Sequence, residues 1–128
     1  MIKVLIVDDN EVLTGLMKEI LEEEGTYHVK TADNGEEGYL AFLHFKPDIV
    51  LTDIEMPAKN GIEMVRDIRV HHPWIKTIYM SSDLNRYRKL LEDEKTKYKA
   101  TLINKPFCMS EVKGLFFECQ KERGKKLL

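Results

Sequence analysis

The chain has 128 residues, 43% apolar and 33% charged, with a net charge of −2. That length supports one domain with its own core, and that composition excludes a disordered or fibrous chain. Its apolar runs fall far short of a membrane span, its near-balanced charge makes no case for nucleic acid, and acids follow the first few residues where a cleavable leader would stay apolar.

The stretch "IKVLIV" (2–7) is almost continuously aliphatic, which predicts a strand buried on both faces. Residues 10–24 carry apolar side chains at helical spacing, with Asn10 as cap and Gly25 as stop. "YHVKTA" (27–32) predicts a second strand, and "DNGEEGYLAFLHF" (33–45) a turn that runs into a second helix. "DIVLTD" (48–53) predicts a third strand, and "GIEMVRDIRVH" (61–71) a third helix with Ile62, Val65 and Ile68 inward. "KTIYMS" (76–81) is a fourth strand; "LNRYRKLLEDE" (84–94) is a fourth helix with Leu84, Tyr87 and Leu90 or Leu91 inward. "ATLIN" (100–104) and residues 109–123 complete the pattern as a fifth strand and helix. Five strand–helix alternations predict right-handed crossovers and a three-layer α/β domain with a parallel sheet.

Ligands in such sheets bind beyond the carboxyl ends of the strands. Those ends are Asp8-Asp9, Ala32-Asp33, Asp53, Ser81-Ser82 and Asn104-Lys105-Pro106. Asp8, Asp9 and Asp53 are therefore expected to meet a hydroxyl and the Lys105 ammonium at one edge. Three carboxylates held together repel, and one lysine does not balance them. A divalent cation would, and hard oxygen donors with no His or Cys nearby favour Mg²⁺ over Zn²⁺. Acids, a hydroxyl, a lysine and Mg²⁺ together suit phosphoryl chemistry. The chain has neither GxxxxGK[ST] nor GxGxxG to cradle a nucleotide. The phosphoryl group would be covalent or arrive on a small donor, and an aspartate can serve as nucleophile.

The pieces "LIVDDN" (5–10), "VLTDIEMPAKNG" (50–61), "YMSS" (79–82) and "NKPF" (104–107), in that order and each at a strand end, resemble the receiver domain of two-component response regulators of the chemotaxis-regulator type. The resemblance spans residues 1–123 and leaves 124–128 as a charged tail that would suit the start of a linker. It implies a flavodoxin-like (βα)5 fold with strand order 2-1-3-4-5. It implies a signalling switch whose only catalysis is its own phosphorylation and dephosphorylation. Asp53 is the implied phosphoacceptor, supplied by a histidine kinase or phosphotransfer protein. Asp9 and Asp53 are implied direct Mg²⁺ ligands, with the Glu55 backbone carbonyl as a third and Asp8 acting through water. Ser81 is the implied switch hydroxyl. Lys105 pairs with the carboxylate and then with the phosphoryl group, and the Lys105-Pro106 bond is cis. The implied output is a downstream protein or a tethered domain, read through the fourth helix, fifth strand and fifth helix. A monomer or a phosphorylation-dependent dimer is expected in the cytoplasm, without direct contact to nucleic acid or membrane.

A reading from another class is a Mg²⁺-dependent phosphatase or phosphotransferase with an aspartate nucleophile. The chain also departs from the family pattern. Leu102 stands where the fifth strand usually carries an aromatic residue. The segment from Ser81 to Lys105 is longer than usual and lacks the customary Gly turn, which predicts an altered fourth helix or loop. Ser82 leaves a choice of hydroxyl, with Ser81 preferred because it ends the strand. Glu55 and Asp83 sit where the family tunes phosphoryl lifetime, and two acids there are expected to alter it. Cys108 and Cys119 lie eleven apart without CxxC spacing and are expected as free, buried or half-buried thiols on the fifth helix. The four histidines, Met17, Met56, Met64 and Met80 read as surface or packing residues. The basic residues between Arg86 and Lys99, broken by the acids Glu92-Asp93-Glu94, read as a solvated face, with a partner site as the alternative.

Overall fold

The structure, a computed structural model, describes residues 1–121 in full and carries the backbone of the last helix to Leu127; the charged tail expected at 124–128 lies outside the fully described residues. Five strands, β1 (Ile2–Val7), β2 (Tyr27–Ala32), β3 (Ile49–Asp53), β4 (Lys76–Ser81) and β5 (Thr101–Asn104), form one sheet. Every pairing is parallel and the order is β2-β1-β3-β4-β5, the expected flavodoxin-like order.

The aliphatic runs of β1 and β3 follow from their central places in the sheet. Val4 and Ile6 face one core with Met17, Leu21, Val112 and Phe116. Leu5 and Val7 face the other with Phe42, Ile62, Val65 and Ile68. A strand covered on both faces needs apolar side chains at successive positions, and each buried Val, Leu or Ile contributes about 1.5–3 kcal/mol. The first core lies under α1 (Glu11–Glu22) and α5 (Met109–Leu127), the second under α2 (Gly35–Phe45) and α3 (Gly61–His71). Three asparagines start three of these helices: Asn10, Asn34 and Asn60 accept from the backbone N–H of Leu13, Glu37 and Glu63. Glu63 returns the bond to Asn60, completing a capping box. Gly25 follows α1 at φ 74°, a left-handed turn that suits glycine.

The fourth helix differs from the regular 84–94 span expected. A 3-10 turn covers Leu84–Tyr87, and an α-helix, α4, covers only Glu92–Thr96. The inward stripe persists, since Leu84 and Tyr87 pack on the second core and Leu91 is buried within it. Leu90, the other candidate, is exposed. Between these pieces the Arg88 and Glu92 N–H groups reach back three residues, to Asn85 and Lys89, rather than four. Arg86 and Lys89 repel at i,i+3 spacing, which weakens the regular helix there. Cys108 also departs from expectation: it is exposed and precedes α5, whereas Cys119 is buried on it, and neither is in a disulfide. Among the described residues, no helix is long and apolar enough to cross a membrane.

Candidate functional site

The strand register brings the expected residues to one edge. β1 ends at Val7 and passes directly into Asp8, which is buried, and Asp9, which is exposed. β3 ends on Asp53, itself buried. Carboxylate oxygens of Asp8, Asp9 and Asp53 all lie within 4.8 Å of one another. β5 delivers Lys105, whose Nζ is 2.7 Å from Asp8 Oδ2 and 3.4 Å from Asp53 Oδ2. The Lys105-Pro106 peptide is cis, as the resemblance implied. Ser81 ends β4 fully buried, whereas Ser82 is exposed, so of the two only the Ser81 hydroxyl is enclosed at this edge.

Electrostatics follow from this crowding. Burial and then the Asp8 charge push the Asp53 carboxyl up to about 6, although Lys105 and the Glu55 backbone N–H pull the other way. Burial lowers Lys105, but its contacts with Asp8 and Asp53 more than offset that and the net shift is upward. Lys105 is thus a firm cation facing acids that it does not neutralise alone. Asp8 is further held by the Asn10 N–H at 3.0 Å.

The β3–α3 loop carries the rest. Glu55 accepts the Ser81 hydroxyl at 3.2 Å, and the Asp83 N–H donates to the same Ser81 oxygen at 2.9 Å. The Asp83 carboxylate turns to cap the 3-10 segment through the Arg86 N–H. Gly61 closes the loop through its N–H to the Ile54 carbonyl. A Cβ at position 61 would stand 2.2 Å from the Asp53 carbonyl oxygen, so no larger residue fits without moving the Asp53 backbone. Asp33 lies at the rim, lining a cleft of about 400 Å³ with Asp9, Glu36 and Pro57.

Two features had gone unread in the sequence. Tyr87, in the 3-10 segment, feels the charges of Glu55, Asp53 and Asp83; its pKa is raised, first by burial and then by these acids. Arg69 and Glu94 are both buried and paired at 2.7 Å, and the Tyr79 hydroxyl donates to the same carboxylate at 2.9 Å. A signal for Arg69 existed: it sits four after Val65 and seven after Ile62, on the inward stripe of α3. Leu102 pairs with Tyr79 across the sheet, so the aromatic ring beside that position belongs to β4 rather than β5.

Comparisons with known proteins agree with this geometry. The family model described as response regulator receiver domain matches residues 4–115. Response regulator GacA of Pseudomonas syringae pv. syringae is 40% identical over 79 residues, covering 61% of this chain and 37% of that protein. The chain thus spans little more than a third of that relative. Protein CcdB of Bacillus subtilis is 36% identical over 107 residues, covering 84% of this chain and 88% of that protein. A response regulator receiver domain from Clostridium thermocellum superposes with a TM-score of 0.83 over 100% of both chains at 24% identity, which bears on the fold alone. With Asp8, Asp9, Asp53 and Lys105 gathered at the carboxyl edge of this sheet, the chain belongs to the response regulator receiver domain family, a signalling module of two-component systems.

Proposed function

We propose that this domain, taken over residues 1–123, is a phosphorylation-controlled switch that accepts a phosphoryl group on Asp53 from the phosphohistidine of a kinase or phosphotransfer protein. The observation that carries this reading is the Asp53 carboxylate, set among Asp8 and Asp9 and 3.4 Å from the Lys105 ammonium. An Asp53 oxygen attacks phosphorus as the phosphorus–nitrogen bond breaks, and the imidazole nitrogen departs with the electron pair and takes up a proton. Such transfers need positioning and charge neutralisation more than acid–base chemistry. Lys105 supplies part of that neutralisation and turns from the carboxylate to the phosphoryl oxygens. Ser81 exchanges Glu55 for a phosphoryl oxygen as its acceptor.

Three clustered carboxylates facing one ammonium fit a hard divalent cation, since all donors are oxygens and the acids otherwise repel. Asp9, Asp53 and the Glu55 carbonyl would hold Mg²⁺, with Asp8 through water. Bound there, Mg²⁺ would neutralise charge on the transferring group. The output passes to a downstream protein or a tethered domain, and the domain acts as a monomer or a phosphorylation-dependent dimer in the cytoplasm. The competing reading, a Mg²⁺-dependent phosphatase or phosphotransferase using an aspartate after the first strand, is disfavoured because the stretch there is Asp8-Asp9-Asn10, without a second acid two residues after Asp8.

The test is labelling with acetyl phosphate and binding of beryllofluoride, each with Mg²⁺, for the unaltered chain and Asp53→Asn. Labelling and binding that vanish in Asp53→Asn are expected. Absence of both in the unaltered chain overturns the switch, and steady turnover of a phosphomonoester would favour the hydrolase.

A further inference from the structure

The chain's one tryptophan lies at the opposite end of the sheet from the acidic cleft. Trp74 precedes β4 and Tyr98 precedes β5, so both sit at the amino ends of strands whose carboxyl ends bear Ser81 and Lys105. A strand of this length puts about 20 Å between the two ends. Trp74 is 61% exposed, and its ring centroid is 5.4 Å from that of Tyr98. The Arg69 guanidinium lies 4.2 Å from the centre of the Tyr98 ring. Arg69 is itself fixed by Glu94 and by the carbonyls of Pro73 and Ile75. The exposed ring thus rests on a ring, and that ring on a buried, fully bonded cation.

This is an aromatic anchor held in place before anything binds it. Exposed Trp and Tyr supply much of the energy of protein interfaces, and pre-ordering them lowers the entropic cost of docking. The charge around the anchor indicates what docks. Lys97 is exposed, with Nζ 5.2 Å from the Tyr98 ring centre, and Lys99 is exposed beside it. Lys99 holds φ 55°, a conformation costly for a side-chain-bearing residue, and its carbonyl is gripped by Lys76 Nζ at 3.2 Å. The buried Glu94 is spent on Arg69 and Tyr79 and gives no counter-charge at the surface. Glu92 and Asp93 remain exposed on α4, so the basic rim is short, which suits a segment with one or two acids rather than a long polyanion such as a nucleic acid.

We infer that the Trp74–Tyr98 face, rimmed by Lys97 and Lys99, docks a short acidic segment of a partner protein that also carries an apolar side chain to cover the tryptophan. This surface stands apart from the phosphorylation site and does not depend on the function proposed for it.

The test titrates the protein with a short peptide of alternating Glu and Leu while following Trp74 emission, which reports one site because the chain has one tryptophan. A saturable change that weakens at high salt is expected, with no change from a Lys–Leu peptide. With the peptide fluorescently labelled and read by anisotropy, Trp74→Ala should weaken binding about tenfold, in the range of interface anchors. Lys97→Glu should weaken it severalfold. Urea midpoints of both variants close to that of the unaltered chain establish that they fold. No saturable signal, equal binding by Trp74→Ala, or preference for an oligothymidylate overturns the proposal. So does a change in Trp74 emission with protein concentration alone, which would mean that the face pairs two copies of this chain.

Discussion

The Ser81 hydroxyl donates its proton to Glu55, two residues beyond Asp53, and accepts from the Asp83 N–H. A hydroxyl has one proton to give, so any other acceptor at Ser81 must displace the Glu55 carboxylate. Hydrogen bonds to charged groups are worth about 1.5–3 kcal/mol when buried, and Glu55 is exposed, so about 1 kcal/mol is a fair scale here. Glu55→Ala should therefore tighten beryllofluoride binding severalfold and slow the loss of phosphoryl label by a similar factor. Glu55→Gln, which keeps an acceptor but loses the charge, should fall between. Decay rates and affinities that match the unaltered chain would remove Glu55 from the switch.

Asp53 gives a prediction about pH. Its carboxyl is pushed up from 3.8 to about 6 by burial and by Asp8. As nucleophile it must be ionised, and a bound cation favours the ionised form, so the pH at which acetyl phosphate labelling rises should move below about 6 as Mg²⁺ is increased. Stability moves the other way. Between pH 3.8 and about 6 the folded chain keeps a proton that the unfolded chain has lost. The contribution of Asp53 is thus intact below the unfolded value and is lost as pH rises to the folded value. Above that, charging Asp53 costs about 1–3 kcal/mol, so Asp53→Asn should stabilise the chelator-treated protein at neutral pH by that order. Mg²⁺ should raise the melting temperature of the unaltered chain and have little effect on Asp53→Asn. A melting temperature indifferent to both would mean that the acids are not in conflict.

Most of the sheet edge was legible because each strand end is marked by apolar residues giving way at once to an acid, a hydroxyl or a lysine. Asp8, Asp9, Asp53, Ser81 and Lys105 could be assigned to one edge from alternation alone, since parallel strands align their carboxyl ends. What escaped was pairing between residues far apart in the chain. Glu94 read as one of three solvated acids, yet it is buried because Arg69, twenty-five residues earlier, meets it there. The Ser81–Glu55 bond was equally hidden, because side-chain direction in a loop has no periodicity to betray it. The fourth helix misled because its inward spacing is that of a regular α-helix while the Arg88 and Glu92 N–H groups reach back only three residues.

Arg69 and Glu94 make a third prediction. The pair is buried, bidentate, and joined by the Tyr79 hydroxyl. Removing one member strands a buried charge, which costs about 3–5 kcal/mol, whereas removing both replaces it with apolar packing. Arg69→Met and Glu94→Leu should each lower the urea midpoint sharply, and the double variant should recover much of the loss. Additive losses would show that the two act separately.

Gly61 makes the last. Its missing Cβ leaves room for the Asp53 carbonyl, which a methyl group would approach to 2.2 Å. The obstructing atom is backbone at the end of β3, so it cannot swing aside as a flexible side chain would. Gly61 also follows the Asn60 cap and opens α3, so the helix start and the acceptor strand are locked at one point. Gly61→Ala must shift either Asp53 or the first turn of α3. The expected result is a loss of about 1–3 kcal/mol, the range for overpacking a closed site, together with much weaker beryllofluoride binding. Gly15 is the natural control: a Cβ there meets nothing within 4 Å, and it lies inside α1, where Ala favours the helix. Gly15→Ala should leave beryllofluoride binding unchanged and stabilise the fold slightly. Equal behaviour of the two variants, measured by urea unfolding and by beryllofluoride affinity, would show that the close approach at Gly61 does not hold Asp53 in place.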